Sequence, residues 1–364
     1  MLGFRPVEVK GYESGRQDAM VRRVTLADVA REAGVGRATA SRALSSDDHR
    51  DVSSETREHV REVAARLGYR ASATARALRT GRSRALSVIL PDSSWSWYEA
   101  GVRSVSRAAG ERGYRVLLHV VPLDLASTAQ GNGNSPTATA IADLADLPSE
   151  GLILFGPALH SSVQEQAARL GLPVVAVDDV APDNPVPTVS CDNRDGARAA
   201  VGHLLALGRR RIAHLTISPD VGFARDRHQG YLDALAEAGI RADSRLVITH
   251  EAMTPPARIP ELEEFLAEGP ECDALFTVGD FMAAPALRTL RSAGRRVPDD
   301  VAVVSFDDDT SAPLLDPPLT TVRQPYDAMG ETAVDLLLRQ IQGEHIPAER
   351  WYLPGTLILR KSAG

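Results

Sequence analysis

Long apolar runs are missing from this 364-residue chain: none approaches the roughly 18 residues that span a bilayer. Its first twenty residues, MLGFRPVEVKGYESGRQDAM, hold no apolar stretch of a secretory signal, so the cytoplasm is the expected compartment. Cysteine is scarce. Cys191 and Cys272 stand far apart with no Cys-x-x-Cys spacing, which argues against a disulfide framework or a structural zinc site. The Walker A loop, H-E-x-x-H and G-x-S-x-G are absent as well, so neither an enzyme, a cofactor nor a metal is expected.

Positive charge is short overall, since the net charge is −7, a balance that by itself argues against a nucleic-acid partner. The average conceals a division. Residues 21–84 hold 14 Arg, no Lys and 8 acidic residues, a local charge of +6, while residues 1–20 sum to zero and the rest carries −13. A basic, Arg-only block on an acidic body is the asymmetry of a small nucleic-acid reader joined to a regulatory domain. A solvated charged face gives the same count, so pattern has to decide.

Residues 1–19 show no sustained periodicity and read as a flexible leader, and Met20, directly before Val21-Arg22-Arg23, is a second candidate start. From Thr25 the pattern is helical: Leu26, Val29, Ala30 and Ala33 recur at helix spacing behind a Thr25/Asp28 capping box. Gly34-Val35-Gly36 breaks it, and Arg37 to Leu44 forms a second short helix. A third starts behind Ser53, turns Val60, Val63, Ala64 and Leu67 inward, and stops at Gly68. Two helices joined by a glycine turn, with a third behind them, make a helix-turn-helix unit. ASATARALRT at 71–80 is Ala-rich but too short to be helical alone, so it should be coil when free and helical when supported.

Beyond Ala85, short apolar runs (85–91, 114–121, 151–156, 173–179, 210–217, 274–279 and 301–308) alternate with helical stretches (97–112, 194–207, 224–238, 281–293 and 326–342). That alternation predicts βαβ units and parallel sheets covered by helices. About 280 residues exceed one usual core, so two α/β lobes are expected. The stretch 127–140, STAQGNGNSPTATA, reads as a loop.

In order and spacing, TLADVAREAGVGRATASRAL, VSSETREHVREVAARLGYRASATARALRTGRS, DNRDGARAAVGHLLALGRRRIAHL, RDRHQGYLDALAEAGI, GDFMAAPALRTL, VAVVSFDDD and PPLTTVRQP resemble the LacI/GalR family of bacterial transcription regulators from about Val24 to the end. The resemblance implies an all-α helix-turn-helix head (23–70) after the leader (1–22), a hinge helix and linker (71–84), and a two-lobed core like the periplasmic binding proteins (85–364). Three crossovers would join an N-lobe of about 85–188 and 325–343 to a C-lobe of about 189–324 and 344–364. The extra C-terminal heptad helix of tetrameric members is not in this sequence, so a homodimer on a near-palindromic operator is implied.

Recognition helices offer their first residues to base edges, here Arg37, Ala38 and Arg42. Arg bonds bidentately to guanine, an Ala methyl suits thymine, and the hydroxyls of Thr39, Ser41 and Ser45, with Thr25, suit phosphates. Gly36 stands where family members usually cap with Ser, and Ser45-Ser46 replaces the usual Asn-Gly. In the hinge, Leu78 matches the minor-groove wedge, flanked by Arg76 and Arg79.

For the effector the resemblance implies a cleft between the lobes at strand carboxyl ends. Trp95, Trp97 and Tyr98 fall where members place aromatic and polar contacts, without the usual Asn-Pro, and core packing explains one or two of them equally well. Arg227 and Asp307 match the ligand-binding arginine and C-lobe acceptor, Asp178 and Gln324 lie at a strand end and a crossover, and a small Cys191 enlarges the pocket. Gly279-Asp280 departs from the usual Asn-Asp: the ligand-bonding amide is gone, and Asp280 reads as a helix cap. A carbohydrate effector is implied. The alternatives are control of the same regulator by a protein partner, and a sugar-binding transport component.

Overall fold

Thr25 starts the first helix by reciprocal capping: its hydroxyl accepts from the Asp28 amide at 3.3 Å and its own amide donates to Asp28 Oδ2 at 3.0 Å. The computed structural model describes residues 24–45, 51–69, 82–92, 95–122, 149–156, 167–178, 185–219, 221–251 and 256–364. The leader, Arg76, Leu78, Arg79 and the 127–140 stretch lie outside these residues, as do the side chains of Trp95 and Trp97. The chain divides into two compact units, Met1–Gly81 and Arg82–Gly364.

In the first unit α1 (Leu26–Glu32), α2 (Arg37–Ala43) and α3 (Ser54–Arg66) pack through Val29, Ala30, Ala40, Ala43, Val60, Val63 and Ala64, with Val52 closing the core. Gly34, at φ +65°, makes the turn between α1 and α2. Gly36 caps α2 with no side-chain bond, whereas the Ser53 hydroxyl accepts from the Thr56 amide at 3.2 Å to cap α3. Four alanines among these core residues let the helices approach closely.

The second unit holds two six-stranded sheets. Strands β1 (Ala85–Asp92), β2 (Arg115–Pro122), β3 (Leu152–Phe155), β4 (Val174–Val177), β5 (Thr188–Cys191) and β11 (Arg350–Leu353) form the first, in the order β11-β5-β4-β3-β1-β2 and wholly parallel. The second runs β12-β10-β9-β8-β6-β7, from β6 (Ile212–Ile217), β7 (Val247–His250), β8 (Ala274–Thr277), β9 (Ala302–Asp307), β10 (Thr320–Arg323) and β12 (Thr356–Ile358). There only the β10–β12 pair is antiparallel. Covered on both faces, β3, β6, β8 and β9 are buried along their whole length, the reason such strands read as unbroken apolar runs.

Among the described residues six α-helices dress these sheets: α4 (Trp95–Glu111), α5 (Asn193–Ala206), α6 (Gly222–Glu237), α7 (Pro260–Glu268), α8 (Asp280–Ser292) and α9 (Tyr326–Ile341). The chain passes between sheets after β5, after β10 and after β11. These crossovers lie together: the Asp192 amide donates to Leu353 carbonyl at 2.8 Å, and a Cβ on Gly355 would stand 2.8 Å from Val322 and 3.3 Å from Cys191 Sγ. The lobe boundaries differ from those the resemblance implied. β5 keeps the first sheet running to Cys191, and Arg350–Leu353 returns to pair alongside it, from Arg350 opposite Thr188 to Leu353 opposite Cys191.

Helices α5 and α6 cross at Gly230, where an added Cβ would stand 2.2 Å from the Arg194 carbonyl oxygen and 2.9 Å from Ala197 Cβ. Backbone on the far side cannot swing away as a side chain can. Gly230→Ala is therefore expected to lower stability by about 1–3 kcal/mol, as overpacking of a close core does, read by urea unfolding. An unchanged midpoint would mean the helices separate freely here.

Candidate functional sites

Arg227 lies on α6 with its side chain 3% exposed, and it is surrounded by partners that fix its plane. Nε donates to Asn193 Oδ1 at 2.8 Å, Nη1 donates to the Val278 carbonyl, and Nη2 pairs with Asp307 Oδ1 at 3.2 Å. The guanidinium lies over Phe306 at 3.7 Å and Phe223 at 4.8 Å. A buried cation needs this density of acceptors and ring faces to offset its lost hydration.

Asp307 closes β9 at φ +113°, a backbone region costly for a residue other than glycine. Its Oδ1 also accepts from Gln324 Nε2 at 2.7 Å, and its carbonyl accepts from the Tyr326 hydroxyl at 3.1 Å. Burial raises the Asp307 carboxyl above the ordinary range, and Arg227 pulls it back. Asp307 Oδ2 and the buried Gln324 Oε1 take no hydrogen bond among the described residues, so acceptor capacity is left over. The Oδ2 atom would stand 2.9 Å from a Cβ on Gly279, and the Phe281 ring equally close. Gly279 is extended, so the constraint is space rather than backbone: no side chain fits at 279 while Asp307 and Phe281 stay where they are.

Asp178 ends β4 buried at φ +70°, and Cys191 ends β5 fully buried. Burial pushes the Cys191 thiol up to about 12, with Arg227 opposing and Asp178 and Asp307 adding to the rise. The structure thus gathers Asp178, Cys191, Arg227, Gly279, Asp307 and Gln324 at the carboxyl ends of β4, β5, β8 and β9 and at one crossover. Tyr98 is set apart from them in the first sheet's packing, edge-on to Phe155 at 6.3 Å, with its hydroxyl against Gly156. Asn193, Phe306 and Tyr326 belong to the cluster and were not singled out from sequence. Asn193 had a usable signal, an amide just past a strand end in DNRDG.

Asp280 corrects its expected role as a cap. Gly279 is the N-cap of α8 and Asp280 the first helical residue, with no side-chain bond to the helix start. Its carboxylate accepts instead from the Thr321 hydroxyl at 2.8 Å and the Asp309 amide at 2.9 Å, tying α8 to β10 and the loop after β9. Burial, then the Asp307 charge, raises the Asp280 carboxyl well above its ordinary 3.8. Above that value the folded chain binds more protons at this site than the unfolded one, so its contribution to stability falls as pH rises towards the raised folded value. Asp280→Asn removes the titration and keeps both contacts, since the Thr321 hydroxyl can turn to accept. The variant's melting midpoint relative to the parent should therefore climb as pH is raised from about 4 to about 8. A constant difference across that range would contradict the assignment.

On the first unit, Arg37, Ala38 and Arg42 are exposed and Thr39, Ser41 and Ser45 half-buried, while Ala40 and Ala43 face the core. Positions 37, 38, 41, 42 and 45 share one face of the helix and its exit. Thr25 uses its hydroxyl within the capping box, donating to Asp28 Oδ2 at 2.7 Å. Arg42 Nη1 pairs with Asp51 Oδ2 at 2.9 Å, and Arg66 with Glu32 at 3.0 Å.

A three-helix reading head followed by a two-sheet α/β core with a polar cluster at its strand ends defines a DNA-binding transcriptional regulator. Residues 25–72 match the model for bacterial regulatory proteins of the lacI family, and residues 201–363 match the periplasmic binding protein-like domain. The chain belongs to the LacI family of bacterial transcriptional regulators. It is 34% identical to the regulator CelR of Thermobifida fusca over 348 residues, covering 94% of this chain and 98% of that one. It is 32% identical to the repressor CytR of Escherichia coli strain K12 over 340 residues, covering 93% and 96%. Among solved structures it is similar to the lac repressor dimer bound to operator and an anti-inducer (TM-score 0.79, 29% identity, 94% of this chain and 99% of that one). It is also similar to a CelR–cellobiose complex (TM-score 0.69, 32% identity, 94% and 100%). Among the described residues no helix is long and apolar enough to cross a membrane, and no group of three or more metal-ligating side chains occurs.

Proposed function

We propose that the chain is a cytoplasmic, non-catalytic, homodimeric repressor that binds a near-palindromic operator and is controlled by a neutral carbohydrate held between the lobes. In this reading Arg37, Ala38 and Arg42 read bases, Thr25, Thr39, Ser41 and Ser45 hold phosphates, and Leu78 between Arg76 and Arg79 wedges the minor groove. The observation that carries the effector half is the buried Arg227–Asp307–Gln324 set, which combines fixed donors with leftover acceptor atoms. Adjacent sugar hydroxyls both donate and accept, so they satisfy such a set where an apolar ligand would strand it. In this reading Asp178, Gly279 and Cys191 flank the set, and Trp95 and Trp97 supply the aromatic side of the cleft, while Tyr98 stays in the first sheet's packing. The relative solved with cellobiose supports the same class of ligand.

The test is a thermal-shift screen of the full chain against neutral mono- and disaccharides and nucleosides. A binding sugar at about 100 times its dissociation constant stabilises by about 2.7 kcal/mol. A raised midpoint with one of the sugars is the expected result. No shift with any of them would overturn the carbohydrate reading, and nucleosides alone shifting it would replace it.

A further inference from the structure

Two arginines stand on the exposed face of α2, and they are held differently. Arg37 makes no ion pair among the described residues, whereas Arg42 Nη1 is paired with Asp51 Oδ2 at 2.9 Å. Both partners are solvent-exposed, 47% for Arg42 and 60% for Asp51, so the pair contributes little to folding in water. Its position says more. Asp51 directly precedes Val52, buried in the head's core, and Ser53, whose hydroxyl caps α3. The carboxylate is therefore carried on anchored backbone, and it reaches across to the arginine of another helix.

We propose that Asp51 is a positioning residue for base reading: it holds the Arg42 guanidinium by one corner and leaves the Nε–Nη2 edge to engage guanine O6 and N7. The proposal rests on Arg42 being a base-contacting residue. A long free side chain pays rotamer entropy when it docks, and a tether fixed to the fold removes part of that cost beforehand. A bidentate contact needs the guanidinium plane in line with the base edge, which a tethered arginine meets more often than a free one. The carboxylate has a second effect. Paired with Asp51, Arg42 gains less from any passing phosphate, so non-specific binding is held down while the directional contact to a base edge is kept.

The experiment uses the full-length chain and a duplex selected from a random pool, with every single base-pair variant of that duplex measured. Arg42→Ala should flatten preference at one position in each half-site. Asp51→Ala should flatten the same position about two- to fivefold, the most an exposed ion pair supplies out of the roughly 10–100-fold of a bidentate arginine, and strengthen binding to an unrelated duplex. Asp51→Glu should restore most of the preference. Circular dichroism and the thermal midpoint should match the parent for all three, since both residues are exposed. If Arg42→Ala flattens a position and Asp51→Ala leaves it intact, the positioning role is overturned while the reading role stands. If Arg42→Ala changes no position, the reading role fails and the Asp51 role fails with it.

Discussion

Arg227→Ala is expected to abolish ligand stabilisation of the core and to lower its unfolding free energy by about 3–5 kcal/mol, because removing one partner of a buried pair strands the other. Asp307 would keep Gln324 Nε2 and lose its cation, while Asn193 Oδ1 and the Val278 carbonyl would lose a donor. Phe306 and Phe223 would be left facing the vacated volume. A paired change separates the two losses. Arg227→Met with Asp307→Asn removes both charges and refills part of the space, so most of the folding stability should return. Ligand stabilisation should not return, since neither the guanidinium nor the carboxylate is there to hold hydroxyls. Urea unfolding with and without a stabilising sugar reads both quantities. A single variant as stable as the parent would contradict the burial argument, and a double variant that still binds the sugar would contradict the site.

The other large effect is on DNA. Arg42→Ala with Leu78→Ala should cost operator affinity in each head at two steps, direct readout and groove opening. A bidentate arginine is worth about 1–3 kcal/mol of discrimination, and wedging repays a few kcal/mol of unstacking through the bent duplex. Two heads in a dimer double the loss, so a drop of more than a thousandfold is expected, with non-specific binding much less affected. Electrophoretic or fluorescence binding at fixed salt measures both. Unchanged affinity and preference would refute the assignment of α2 and the hinge to operator recognition.

What could be read from the sequence follows the range of the forces involved. The helices of the head are set by local signals, Thr25 with Asp28 and Ser53 with Thr56, and these are the contacts present. Long buried strands such as Ala85–Asp92 and Ala302–Asp307 announce themselves as apolar runs. The four-residue strands Thr188–Cys191 and Thr320–Arg323 do not: they are rich in Thr and Ser and become strands only by pairing with distant partners. The same distance moved the lobe boundaries, since Arg350–Leu353 joins the first sheet through a partner some 160 residues earlier. In the buried cluster, Arg227, Asp307 and Gln324 were visible through the resemblance, while Asn193, Phe306 and Tyr326 gain their roles from tertiary approach to Arg227 and Asp307. Asp280 at a helix start reads locally as a cap, but its carboxylate is drawn to Thr321 on a strand 41 residues away. Net charge misled for a related reason: −7 is an average over a basic head and an acidic body.

The central claim is that one ligand site in the core and one DNA site in the head share a coupling free energy. It is tested most directly by titrating the operator complex of the full-length chain with the sugar that stabilises the core. The account predicts that operator affinity shifts by about 5–150-fold, saturating over the same sugar concentrations as the thermal shift, and that Arg227→Ala removes the response. Operator affinity that stays constant while the sugar saturates the core would contradict it.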